Sequence, residues 1–72
     1  RVENQKRYIG RRIREMREGK NLSEAMLAAR AGIGIGALRS LEEGNSTPLP
    51  LIERVLGVMG YGFGDIASEG GA

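Results

Sequence analysis

Arg39 is the single cation between Ile35 and Glu43, and Ser40 stands beside it. A guanidinium is a planar fork of N–H donors that fits a carboxylate, a phosphate or the acceptor edge of guanine. Other small polar residues lie to either side: Ser23 and Glu24 before it, and Asn45, Ser46 and Thr47 after it. Hydroxyls and amides of this kind bond phosphate oxygens. Between the two groups sit Gly34, Ile35, Gly36 and Ala37. None of these side chains can hydrogen-bond a base, although the methyl groups of Ile35 or Ala37 suit a thymine methyl.

Other chemistries are poorly supplied. The chain has no Cys and no His, which removes disulfides, thiolate metal sites, the commonest general base and the commonest metal ligand. Glu42 and Glu43 are adjacent, so on a helix they diverge by about 100° and cannot share a site. Gly32, Gly34 and Gly36 superficially suggest a nucleotide loop, but no strand pattern precedes them. The expectation is a non-enzyme with no cofactor and no metal.

The elements that must carry these residues read as helices. Ile9, Ile13 and Met16 share one face of a helix over Arg7–Gly19, with Gly19 as its stop. Ser23 is a natural N-cap for a second helix running to about Ala31. Gly32 then allows a tight turn into a third helix, about Ile35 to Glu43. In that helix Leu38 and Leu41 point inward, which turns Arg39 outward. Gly44 ends the third helix. A fourth runs from Leu49 to Met59, tolerating Pro50 in its first turn, and a short fifth spans Tyr61 to Ser68. Two short helices joined by a glycine turn have the shape of a helix-turn-helix, and equally that of an ordinary helical corner.

Seventy-two residues allow one domain with one small core. We divide them into an arm (1–6), a helical domain (7–68) and a tail (69–72). The net charge of +2 is uneven, with +5 over residues 1–20 and −3 over the rest. A basic end of this kind either meets phosphate or is a solvated helix face. No apolar run reaches the length of a membrane span and no signal-peptide pattern is present, so a cytoplasmic location is expected. The chain opens on Arg1 rather than Met, consistent with a trimmed start or a longer parent.

Four pieces, in order and at matching spacing, resemble the Xre/Cro family of phage-repressor-like helix-turn-helix domains. They are IGRRIREMREGKNLS, LSEAMLAARAGI, ALRSLEEG and LIERVLGVMGYGFGDI, together covering most of residues 8–67. The stretch LRSLEEGNSTPLPLIERVLGVMG is also similar to antitoxins that partner HipA-type kinase toxins. The family resemblance implies an all-α, five-helix bundle, commonly a homodimer on palindromic double-stranded DNA. The third helix would lie in the major groove as the recognition helix, and the start of the second would touch the backbone.

The resemblance also implies a pairing. Arg17 lies at the edge of the apolar face of the first helix, and Glu42 lies four residues after Leu38 on an inward face. Buried charges need partners. The family pairs an Arg and a Glu at these matched positions, so Arg17–Glu42 is expected to be a structural ion pair; the alternative is two separate exposed charges. The chain departs from the family at Gly34–Ala37, where polar readers are common, and at Glu24, where Gln often reaches phosphate or base. A carboxylate there repels phosphate but can accept from cytosine.

The expected function is a sequence-specific, repressor-like regulator of transcription. Arg39 and Ser40 would read bases, while Ser23, Glu24, Gly34, Ile35, Gly36, Ala37, Asn45, Ser46 and Thr47 would complete the contact surface. The competing reading is a protein-docking module of the same fold, with a partner such as a toxin. The expected core is Ile9, Ile13, Met16, Leu22, Leu27, Ala28, Ile33, Leu38, Leu41, Ile52, Val55, Leu56, Met59, Phe63 and Ile66. Leu51, Val58, Tyr61 and Phe63 exceed one apolar face and are assigned to a two-fold dimer contact.

Overall fold

A computed structural model of the chain describes residues 2–66. The backbone makes α1 (Val2–Gly19), α2 (Glu24–Ala31), α3 (Ile35–Glu42), α4 (Leu49–Val58) and a single-turn α5 (residues 63–66). No strand occurs among the described residues, so the architecture is the all-α, five-helix bundle that the sequence suggests.

Helix α1 corrects the reading of residues 1–6 as an arm, because it is already helical at Val2. No Gly or Pro interrupts the sequence between Val2 and Ile9, and Gln5, Lys6 and Arg7 are good helix formers. The end of α1 is also differently built. Gly19 is its last residue, but the chain turns at Asn21, which adopts a left-handed φ of 57°. The Leu22 amide then returns to the Arg17 carbonyl at 3.1 Å. Asn substitutes here for the glycine that usually takes this conformation. The expected end of α5 (67–68) and the tail (69–72) lie outside the described residues.

The helix-turn-helix unit closes as its residue types dictate. Ser23 Oγ accepts from the Met26 amide at 3.0 Å and caps α2. Gly32 ends α2 at φ 70°, and the Ile33 amide reaches back to the Ala28 carbonyl at 3.0 Å. Gly34 opens α3 with no side-chain cap. Helix α3 ends at Glu42 with Glu43 as its C-cap, and Gly44 makes the left-handed exit. Helix α4 stops one residue earlier than expected, with Met59 as its cap. Asp65 Oδ2 accepts from the Gly62 amide at 2.8 Å and holds the start of α5.

One apolar cluster joins the helices. Ile13, Leu27, Leu38, Val55 and Leu56 are completely buried, with Met16, Leu22, Ala28, Leu41, Ile52, Met59 and Ile66 around them. Ala31 belongs to the cluster too, while Ile9 and Ile33 are only half-buried at its edge. Phe63 does not belong to the core, being 41% exposed. Ile66, at the other end of the same turn, supplies the buried apolar side chain of α5. Tyr8 Oη donates to the Ile66 carbonyl at 2.9 Å and ties α5 to α1. Leu49, expected on the apolar stripe of α4, is 65% exposed because it stands at the first position of the helix, beyond the core.

Gly10 sets the closest approach in the bundle. A Cβ at this position would clash with the Leu41 carbonyl oxygen and lie 2.7 Å from that of Glu42. The backbones of α1 and α3 therefore touch, and only glycine allows it.

Candidate nucleic-acid interface

The inner side of α3 is held by three kinds of contact. Leu38 and Leu41 enter the core, Gly10 receives the helix backbone, and Glu42 meets Arg17. Arg17 Nε donates to Glu42 Oε2 at 2.7 Å, and Arg17 Nη2 donates to Glu42 Oε1 at 3.1 Å. Arg17 Nη1 donates to the Leu22 carbonyl at 2.9 Å. Both side chains are buried, at 9% and 4% exposure. The hydrogen bonds to Glu42 raise the Arg17 pKa against the opposing effect of burial. A paired, fully bonded charge of this kind fixes the orientation of α3 relative to α1 and to the turn before α2.

With the inner side fixed, the outer side is determined. Gly34, Ile35, Gly36, Ala37 and Arg39 are exposed, and Ser40 is half-buried. A Cβ added at Gly34 or Gly36 would meet nothing within 4 Å, so packing demands glycine at neither position. Asn45 and Ser46 are exposed in the loop after α3. Thr47 is half-buried there, and its Oγ1 donates to the Asn45 carbonyl at 3.2 Å. The expected polar residues thus fall into two groups, one around the α2 start and mid-α3 and one in the loop following α3.

One pairing was not legible in the sequence. Arg39 Nε donates to Glu24 Oε1 at 3.0 Å across the α2–α3 corner, with the two side chains 57% and 28% exposed. This hydrogen bond, more than the surrounding charge, holds the Glu24 carboxyl below the usual carboxylate range; partial desolvation opposes it, and the charges of Arg39 and Arg17 add to it. Glu24, read from sequence as a residue that repels phosphate, is thereby neutralised by the one cation of α3. The two lie fifteen residues apart in separate helices, and no local spacing rule links them. Arg14, Glu42 and Glu43 complete the rim of the shallow cleft in which they meet.

A second surface was also missed. Lys6, Ile9, Leu41, Leu49, Ile52 and residues 45–48 line an apolar cavity of about 440 Å³ under the loop after α3. Of the residues expected in a dimer contact, Leu51 and Tyr61 are half-buried against the core of their own chain. Lys20 Nζ lies 5.1 Å from the centre of the Tyr61 ring. Val58 and Phe63 remain exposed. No cluster of potential metal ligands occurs among the described residues, and no helix among them is long and apolar enough to cross a membrane.

A helix-turn-helix family model matches residues 13–66, from the middle of α1 to the end of α5. The chain belongs to the Xre/Cro-like helix-turn-helix family, whose members are DNA-binding regulatory domains rather than enzymes. No curated protein and no solved structure matches the chain.

Proposed function

We propose that this domain is a sequence-specific, repressor-like regulator that lays α3 in the major groove of double-stranded DNA. The observation that carries the reading is the two-sidedness of α3. Its inner side is locked by Leu38, Leu41 and Glu42, and its outer side offers Ile35, Gly36, Ala37 and the exposed guanidinium of Arg39. In this motif the outward side of the second helix of the pair faces the bases. Arg39 is the main base reader, with Ser40 assisting. The backbone amides at the starts of α2 and α3 bond phosphates, together with Asn45 and Ser46. With few polar readers, specificity draws on backbone contacts and DNA shape as well as on Arg39.

A two-fold pair on a palindromic site accompanies this reading. Of the four residues assigned to such a contact, Val58 and Phe63 are the two left exposed. Sedimentation with and without DNA tests it, and monomer at high micromolar concentration in both conditions rejects it.

The decisive experiment selects duplexes from a random library at two salt concentrations. Enrichment of a common sequence, with affinity that falls as salt rises, supports the proposal. Absence of any enrichment rejects it in favour of a protein-docking module, whose partner class would include toxins.

A further inference from the structure

We infer that Glu24 is a specificity-determining positioning residue, which orients Arg39 to read guanine. The inference rests on α3 lying in the major groove and names the base that this surface prefers. Its basis is which nitrogen of Arg39 is engaged. Glu24 Oε1 accepts from Nε, the inner nitrogen of the guanidinium. Among the described residues, the two terminal nitrogens have no partner. A carboxylate on Nε restrains the group from its side and leaves its end edge, with the two parallel N–H donors of Nη1 and Nη2, unengaged.

That edge matches one base. Guanine presents two acceptors in the major groove, O6 and N7, side by side. Adenine places a donor beside its N7, cytosine presents a donor, and thymine offers one acceptor next to a methyl group. Only guanine satisfies both terminal nitrogens together. The same geometry argues against Glu24 as a latch that DNA must displace. A latch would occupy the terminal edge that the base needs, whereas Glu24 sits on the side edge, at Nε.

The support behind Glu24 is firm. It is the first residue of α2, immediately after the Ser23 cap, so its backbone is fixed at a helix N-terminus that favours negative charge. Its side chain is about half as exposed as that of Arg39. Arg39 would otherwise lose much rotamer freedom on binding, and the contact with Glu24 removes part of that loss beforehand.

The test measures base discrimination. Affinities are measured by fluorescence anisotropy for the selected duplex and for duplexes with each guanine replaced in turn, using the wild type, R39A, E24A, which removes the acceptor, and the double variant. In the wild type, replacing the contacted guanine weakens binding roughly 5- to 150-fold. E24A lowers that ratio severalfold and raises affinity for random duplex, because a negative charge near phosphate is lost, and the double variant discriminates as R39A does alone. In parallel, the Arg39 Nε–H resonance is followed by NMR and persists when the wild type binds DNA. An E24A protein that keeps the full guanine ratio overturns the inference, as does loss of the Nε–H···Glu24 bond in the wild-type complex. If R39A itself leaves every ratio unchanged, the major-groove reading fails instead, and the two failures are distinguishable.

Discussion

Arg17 and Glu42 meet through two parallel hydrogen bonds in the buried crossing of α1 and α3, and the third arm of Arg17 reaches the Leu22 carbonyl. Removing either partner leaves an uncompensated charge that is largely withdrawn from water. Arg17→Met is expected to destabilise the domain by about 3–5 kcal/mol, and Arg17→Met/Glu42→Leu to recover much of the loss. Urea denaturation of the four proteins of the double-mutant cycle checks this. Additive effects would contradict the coupling.

Two glycines are expected to respond in opposite ways. Gly10→Ala drives a methyl into the Leu41 and Glu42 carbonyls, so α1 and α3 must separate. A loss of about 1–3 kcal/mol is expected from such overpacking. Gly36→Ala places a methyl in open space inside a helix. A gain of about 0.5–1 kcal/mol is expected there. Thermal melting of both variants decides the matter, and a destabilising Gly36→Ala would contradict the open space beside this position.

Arg39 and Ser23 are expected to affect DNA binding in different ways. Arg39→Ala should cost about 1–3 kcal/mol on the preferred site and relax the preference at one base pair. Ser23→Ala removes the cap of α2. It should lower fold stability by about 1 kcal/mol and weaken all DNA sequences alike. Binding titrations on preferred and scrambled duplexes separate the two; equal loss on both duplexes for Arg39→Ala would contradict base reading.

Acid should weaken the Glu24–Arg39 contact. The Glu24 carboxyl is held below its ordinary range in the folded protein, chiefly by the Arg39 hydrogen bond. Between the folded and unfolded values the unfolded chain binds more protons, so the contribution is complete above the unfolded value and is lost as pH falls through the folded one. The acid limb of stability, from about pH 5 downward, should therefore be shallower in Glu24→Gln than in the wild type. Urea midpoints measured across that range provide the comparison, and superimposable limbs would count against the contact.

Much of this architecture was legible because it is local. Ser23 as a cap, Gly32 and Gly44 as left-handed exits and the Leu38/Leu41 spacing all act within a few residues. Arg17 and Glu42 were reachable only through the family resemblance, since 25 residues separate them. What escaped depends on tertiary placement. Asn21, rather than a glycine, makes the turn after α1; Gly10 marks a helix crossing that no periodicity reveals. Phe63 was misplaced because a one-turn helix obeys no apolar stripe long enough to read. In the candidate site, exposure of Gly34–Ala37 followed from the inward leucines. The Glu24–Arg39 contact did not, because it spans two helices.

The contact of Gly10 with the back of α3 has an evolutionary consequence. The buried contacts that anchor the helix in the bundle approach from behind, through Gly10, Leu38, Leu41 and Glu42. Ile35, Gly36 and Ala37 stand on the exposed front, where an added atom at Gly36 meets nothing. Substitutions at these three positions can accumulate in a descendant lineage without passing through an unfolded ancestor. If α3 lies in the major groove as proposed, a few point changes on one side of one helix alter the DNA target and leave the scaffold whole.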